Sequence, residues 1–186
     1  PDASDALVDQ IMDTAVEPTL AALARRGIDY RGFLFAGLML TPDGPRMLEY
    51  NVRFGDPEAQ VVLPRLTSDL ADLLAGAADG AMGEAPTFAD TTAVTVVCAA
   101  EGYPASPRTG DVIEGLDAAR AVPGATVFCA GVAADEEGRL VTAGGRVLNV
   151  TGEGTNLAEA RAVAHEAVAA VSWPGMHHRT DIGAPA

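Results

Sequence analysis

Apolar positions recur at helical spacing from Ser4 to Arg26. Leu7, Ile11 and Ala15 form one row, Val8, Met12 and Val16 the next, and Leu20 and Leu23 follow. Two arginines and Gly27 supply the stop signal. Pro18 lacks an amide proton and crowds the carbonyl four residues back, so it predicts a kink or a split. Gly32 to Thr41 is a short apolar run, Pro42-Asp43-Gly44-Pro45 is a strong turn, and Arg46 to Arg53 is a second strand; the pair predicts a hairpin. Phe54 to Gln60 reads as polar and irregular. Ser68-Asp69-Leu70 opens a helix with serine as its N-cap, and the pattern fades between Gly76 and Gly80.

Gly83 to Asp90, with Pro86, has linker character and places a domain boundary near residue 88. The pattern then changes. Thr91 to Ala100 is a β-branched strand, Gly102 to Gly110 a loop, and Ala125 to Ala134 another strand. Glu136-Glu137-Gly138 makes a turn, and Leu140 to Val150 gives strand material broken at Gly144-Gly145. A last helix starts at Asn156, with Glu159 three residues on as a capping box. It turns Leu157, Ala160, Val163, Ala164, Ala167, Val168 and Val171 inward. Trp173 to Ile182 is an extended tail. The fold class is α+β: residues 1–88 in one domain and 89–186 in a small C-terminal α+β domain.

With 186 residues, 48% of them hydrophobic, the chain can bury a real core in one or two domains. Aromatics are only 5%, so Ala, Val and Leu must fill it. Twelve basic against 26 acidic residues leave a net charge of −14, which argues against a nucleic-acid or anionic-membrane partner. All twelve cations are arginine, so this chain offers no Schiff-base lysine and no Walker-type lysine. Cys98 and Cys129 each lie in an apolar β-like run and read as buried free thiols, in keeping with a reducing, cytoplasmic setting. No stretch reaches the length of a membrane span. Pro1-Asp2-Ala3-Ser4 has neither the basic nor the apolar region of a signal peptide, and the missing initiator Met suggests a piece of something longer.

The chemistry concentrates in Leu48-Glu49-Tyr50-Asn51-Val52-Arg53-Phe54-Gly55-Asp56-Pro57-Glu58. On a strand, Glu49, Asn51 and Arg53 share one face, and Leu48, Tyr50 and Val52 the other. Carboxylate and amide oxygens together suit Mg²⁺, which takes one or two protein ligands beside substrate phosphates. Arginine suits a carboxylate or phosphate, gripped bidentately. Gly55 lets backbone approach a ligand, and Asp56 and Glu58 can orient an amine or the arginine. Spacing alone points rather to an exposed sheet face with an ordinary Glu–Arg pair.

Glu49 to Glu58, preceded by Tyr30-Arg31-Gly32-Phe33-Leu34-Phe35-Ala36-Gly37-Leu38-Met39, closely resembles the phosphoribosylamine–glycine ligase (glycinamide ribonucleotide synthetase) family of ATP-grasp enzymes. The likeness continues through Gly102-Tyr103-Pro104, Arg108-Thr109-Gly110-Asp111-Val112-Ile113, Gly144-Gly145-Arg146-Val147-Leu148 and Arg179-Thr180-Asp181-Ile182-Gly183. The resemblance implies the C-terminal part of an ATP-grasp core followed by a small C-terminal domain. It implies Glu49 and Asn51 as Mg²⁺ or Mn²⁺ ligands, Arg53 as a catalytic and substrate-binding residue, and Gly55, Asp56 and Arg108 as substrate-binding. The implied enzyme is an ADP-forming carboxylate–amine ligase of de novo purine biosynthesis, with ATP, glycine and 5-phosphoribosylamine as substrates and glycyl phosphate as intermediate. The glycine-rich loop and phosphate-binding lysines of that family are absent from this sequence. The chain is therefore expected to need a missing N-terminal portion and to be inactive alone.

Two further readings compete with this one: another ATP-grasp carboxylate–amine ligase, against which Asp56-Pro57-Glu58 argues, and a non-catalytic binding domain. Elsewhere the signals are weaker. His165 reads as a surface or satisfied histidine, and the adjacent His177 and His178 point opposite ways on an extended tail. Gly144-Gly145-Arg146 reads as a turn or bulge, with a substrate-facing arginine as the other option. Gly152-Glu153-Gly154 reads as a loop ahead of the last helix.

Overall fold

The computed structural model describes residues 3–184; Pro1 and Asp2, used above in reading the N-terminus, and residues 185–186 lie outside the described residues. The chain forms two compact units. The first runs through Gly55 and includes Ser68–Thr87; the second holds Asp56–Thr67 and continues from Phe88. The chain thus passes from the first to the second after Gly55 as well as after Thr87, and residues 56–67 pack with the C-terminal unit rather than with the residues before them.

In the first unit, helix α1 (Asp5–Ile11) runs through a π-helical turn (Met12–Val16) into α2 (Glu17–Arg25). The π turn sits directly ahead of Pro18, where a missing donor and a bulky ring perturb the ordinary ladder, so the helix is split where the proline predicted. Strands β1 (Phe35–Thr41) and β2 (Gly44–Asn51) make the expected antiparallel hairpin around Pro42-Asp43. Its register slips between Gly37 and Leu38, leaving Leu48 as the extra residue of a bulge. Strand β2 ends at Asn51, two residues short of the sequence reading. Tyr50 anchors the hairpin to the helix: its hydroxyl donates to Ala15 O at 2.9 Å and lies 2.9 Å from Thr19 Oγ1.

Helix α4 (Leu70–Asp79) belongs to this unit, but its cap is Asp69, not Ser68. Asp69 Oδ1 accepts from the amides of Ala71 (2.8 Å) and Asp72 (3.2 Å). Ser68 Oγ instead accepts from Thr87 N at 2.8 Å and closes the loop 68–87. Gly80, at φ 67°, ends the helix in the left-handed conformation.

The second unit carries the core. Strands β3 (Thr92–Ala99), β4 (Ala125–Cys129) and β7 (Arg146–Gly154) form an antiparallel sheet in the order β3-β7-β4. The short strands β5 (Val132–Ala134) and β6 (Leu140–Thr142) pair separately. Ala130-Gly131 divides the single strand read over 125–134 into β4 and β5. Two short helices escaped the pattern: α3 (Ala59–Arg65), which holds Pro64, and α5 (Leu116–Arg120). Helix α6 (Leu157–Ala170) covers one face of the sheet through Ala160, Ala164, Ala167 and Val168, all buried. Val171, just past its end, is buried too, but Leu157, the first residue of the helix, is exposed.

The aromatic-poor composition works because this packing is backbone-close. A Cβ on Gly152 would stand 2.3 Å from Ala164 N and 2.4 Å from Ala160 O, so alanine stripe and glycine seat α6 directly on β7. Gly152 and Gly154 thus belong to β7 rather than to a loop. The cap at Asn156 is as read, its side chain accepting from Glu159 N at 3.0 Å. Glu159 reaches one residue further back than a standard box, to Thr155 N (2.9 Å) and Thr155 Oγ1 (2.6 Å). Those hydrogen bonds hold its carboxyl below the usual range. Cys98 is buried, and burial pushes its thiol up to about 12; Cys129, at the end of β4, is exposed, contrary to the sequence reading. Among the described residues no helix is long and apolar enough to cross a membrane.

Candidate active-site residues

Glu49 and Asn51 occupy the last turn-outs of β2 on one face, as period two requires. Asn51 Nδ2 donates to Glu49 Oε1 at 2.9 Å. That bond uses one carboxylate oxygen and one amide proton. Glu49 Oε2 and Asn51 Oδ1 accept no hydrogen bond from the described residues, and Glu49 is exposed. Two hard oxygen donors therefore stand side by side with free lone pairs, the donor set that suits a small divalent cation. Glu49 pairs across the hairpin with Gly37, and the missing side chain there gives the glutamate its room: a Cβ on Gly37 would meet Glu49 Cγ at 3.3 Å and Glu49 O at 3.4 Å.

Arg53 is not the third tooth of that row. The strand has ended, and Val52 and Arg53 form a bend. Arg53 is exposed and donates from Nη1 to the carbonyl of Phe54 at 3.0 Å. Its other nitrogens have no hydrogen-bond partner among the described residues, so the rest of the guanidinium can grip an anion. Phe54 is held by its ring against Phe33, centroids 4.1 Å apart. Gly55 is buried.

Asp56 opens the second unit, and there it is tightly held. Gln60 Nε2 donates to Asp56 Oδ1 at 3.1 Å. Arg146 donates from Nη1 to the Asp56 main-chain carbonyl at 3.0 Å, and its Nη2 lies 3.2 Å from Asp56 Oδ2. The arginine on Asp56 is thus Arg146, 90 residues away, and not Arg53, the arginine of the motif that the sequence reading allowed it to orient.

Arg108 is engaged on every side of its guanidinium. Nε donates to Asp111 Oδ2 at 2.8 Å, Nη1 pairs with Glu101, and Nη2 donates to Pro174 O at 2.8 Å. The hydrogen bond to Asp111, with the charges of Asp111 and Glu101, holds Arg108 above its usual range. This arginine ties the 101–111 loop to the tail in the present structure. The histidines make no metal cluster: among the described residues no group of three or more His, Cys, Asp or Glu is placed to hold an ion. The His165 ring lies 6.1 Å from that of His178, its Nε2 buried without a partner.

Comparison with known proteins covers both units. Residues 93–185 match the family model described as phosphoribosylglycinamide synthetase, C domain, and residues 1–59 match phosphoribosylglycinamide synthetase, ATP-grasp (A) domain. The phosphoribosylamine–glycine ligase of Caulobacter vibrioides is 48% identical over 182 residues, covering 97% of this chain and 42% of that protein. The one from Streptomyces coelicolor is 48% identical over 190 residues, covering 100% of this chain and 45% of that protein. A crystal structure of phosphoribosylamine–glycine ligase from Thermotoga maritima matches with a TM-score of 0.78 at 37% identity, over 98% of this chain and 44% of that one. The chain therefore spans less than half the length of these relatives.

Proposed function

Since the chain belongs to the phosphoribosylglycinamide synthetase family, we propose that it is the portion of an ATP-grasp ligase that carries the metal and substrate motif and the C domain. The reaction proposed is the ADP-forming ligation of glycine to 5-phosphoribosylamine in de novo purine biosynthesis. A glycine carboxylate oxygen attacks the γ-phosphorus of ATP and ADP leaves, giving glycyl phosphate. The amine nitrogen of phosphoribosylamine then attacks the carbonyl carbon, and phosphate leaves with the carboxylate's oxygen. No protein nucleophile is needed, which accords with a site built of a carboxylate, an amide and arginines.

The observation that carries this reading is the Glu49–Asn51 pair, two adjacent oxygen donors with free lone pairs on one strand face, Glu49 exposed and Asn51 half-buried. They fit Mg²⁺ or Mn²⁺: Glu49 and Asn51 would hold the ion, and its chemistry when bound would be to offset the negative charge of the phosphates during transfer. Arg53 supplies the cation that grips a carboxylate or phosphate, Gly55 the close backbone and Asp56 an acceptor for an amine. Arg108, with its three nitrogen positions already engaged, fits a positioning role for the 101–111 loop better than direct substrate contact. A cytoplasmic setting agrees with two unpaired cysteines. The partner required is the rest of the same enzyme, with the phosphate-binding lysines that this sequence lacks.

The test is turnover by the full-length protein containing this chain. ADP should form only when ATP, glycine and 5-phosphoribosylamine are all present, and the 186-residue chain alone should form none. ADP release that ignores glycine, or that needs a different carboxylate, overturns the assignment.

A further inference from the structure

We propose that Arg146 is a positioning residue that fixes the Asp56 carboxylate and carbonyl for the amine-bearing substrate. The inference rests on the proposed function, in which Asp56 accepts from an amine, and extends it to a residue outside the 49–58 motif. Three features of the second unit support it.

The first is the geometry of the contact. Arg146 uses both terminal nitrogens on one residue, Nη1 on the main-chain oxygen at 3.0 Å and Nη2 at 3.2 Å from Oδ2. A two-point grip fixes both the position and the rotation of its target, where one contact would fix only distance. Gln60 closes the third side, donating to Oδ1 at 3.1 Å. A carboxylate has about four lone-pair positions, so two remain for an incoming N–H. The pair is open enough for that, with the Arg146 and Asp56 side chains 40% and 42% exposed.

The second is the rigidity of the platform under Arg146. It is the first residue of β7, paired across to Ala99. Its carbonyl accepts from Gly131 N at 2.9 Å, and the carbonyl of Gly145 accepts from Ala100 N at 2.9 Å. Gly145 lies against the Tyr103 ring, where a Cβ would come within 2.3 Å of Cδ2. Gly131 and Gly144 are equally close, a Cβ on Gly131 meeting Gly144 Cα at 2.8 Å. The glycines read as a turn thus lock the base of the arginine.

The third is that the contact lies outside the apolar core of the unit. Exposed ion pairs contribute little to folding, and the unit has a separate apolar core under α6. Arg146 and Gln60 together set the direction of the Asp56 carboxylate, which is a demand of orientation rather than of packing.

The experiment uses the full-length enzyme with Arg146→Met, Arg146→Lys, Asp56→Asn and the Arg146→Met/Asp56→Asn double variant. Expected for Arg146→Met is a loss of about 10- to 100-fold in kcat/KM for the amine substrate, with the apparent KM for ATP unchanged and Tm moved by less than about 3 °C. Arg146→Lys keeps the charge without the fork and should recover only part of the loss. The double variant should be no worse than Asp56→Asn alone, since the arginine acts through that residue. Additive losses, or Arg146→Met at parental kcat/KM while Asp56→Asn is impaired, overturn the role of Arg146. If Asp56→Asn itself keeps parental activity, it is the proposed assignment of Asp56 that fails.

Discussion

Gly37→Ala isolates the position of Glu49 from its chemistry. Gly37 lies opposite Glu49 in the hairpin, at a φ outside the left-handed region, so alanine is allowed by the backbone. The new methyl would stand 3.3 Å from Glu49 Cγ and 3.4 Å from Glu49 O. Carbon contacts are comfortable from about 3.5 Å upward, with the optimum reaching about 4.0 Å, so the glutamate must retreat by roughly 0.2 Å at least and by up to roughly 0.7 Å. Misplacing a reacting group by about 1 Å costs on the order of 100-fold, and in proportion this shift costs about 3- to 25-fold in kcat/KM. Folding should hardly notice: the crowding of an exposed side chain is offset by about 0.4–1 kcal/mol gained from a stiffer unfolded chain. The assay is initial rate against Mg²⁺ concentration in the full-length enzyme, with Tm alongside. Gly83→Ala, whose added methyl meets nothing within 4 Å, is the control. The half-saturating Mg²⁺ concentration should rise for Gly37→Ala and stay fixed for Gly83→Ala. An unchanged Mg²⁺ profile in a folded Gly37→Ala protein would refute the reasoning that Glu49 is held in place for a metal.

Two further predictions concern the second unit. Gly152→Ala puts a methyl 2.3 Å from Ala164 N and 2.4 Å from Ala160 O, so α6 must lift from β7; the loss should be about 3 kcal/mol or more by urea unfolding. Burial, with the charges of Arg161 and His178, holds His165 below its usual range. The unfolded chain therefore binds that proton more readily, and this contribution to stability is present above the unfolded value of about 6.5 and lost as pH falls towards the folded value. His165→Gln should flatten that part of the profile in denaturant midpoints measured between pH 7.5 and 5.5; an unchanged slope counts against it.

Legibility in the sequence followed the range of the interactions. The hairpin, the split at Pro18 and the cap at Asn156 are set by residues within a few positions of one another, and pattern reading finds them. The bulge at Leu48 and the end of β2 at Asn51 depend on cross-strand register, which period two does not carry, so the alternation extends to Arg53 although the strand stops before it. Helix α3 was hidden because Pro64 and two valines oppose helical propensity; packing on the sheet overrides it, with Thr151 Oγ1 donating to Gln60 O at 2.8 Å. Ser68 and Asp69 are both good caps by type, and only the contact with Thr87 decides between them. The Glu49–Asn51 pair was legible because period two forces it. The hold of Arg146 on Asp56 was not, because no local rule links residues so far apart in the chain.

The most direct test of the account is metal binding and turnover in the full-length enzyme with Glu49→Gln and Asn51→Ala. Mn²⁺ bound in the presence of nucleotide, followed by electron paramagnetic resonance, should weaken in both variants. Mg²⁺-dependent ligation should fall about 100-fold or more, with Tm near the parent's. Parental Mn²⁺ affinity together with parental turnover in either variant would contradict the claim that this strand face holds the metal.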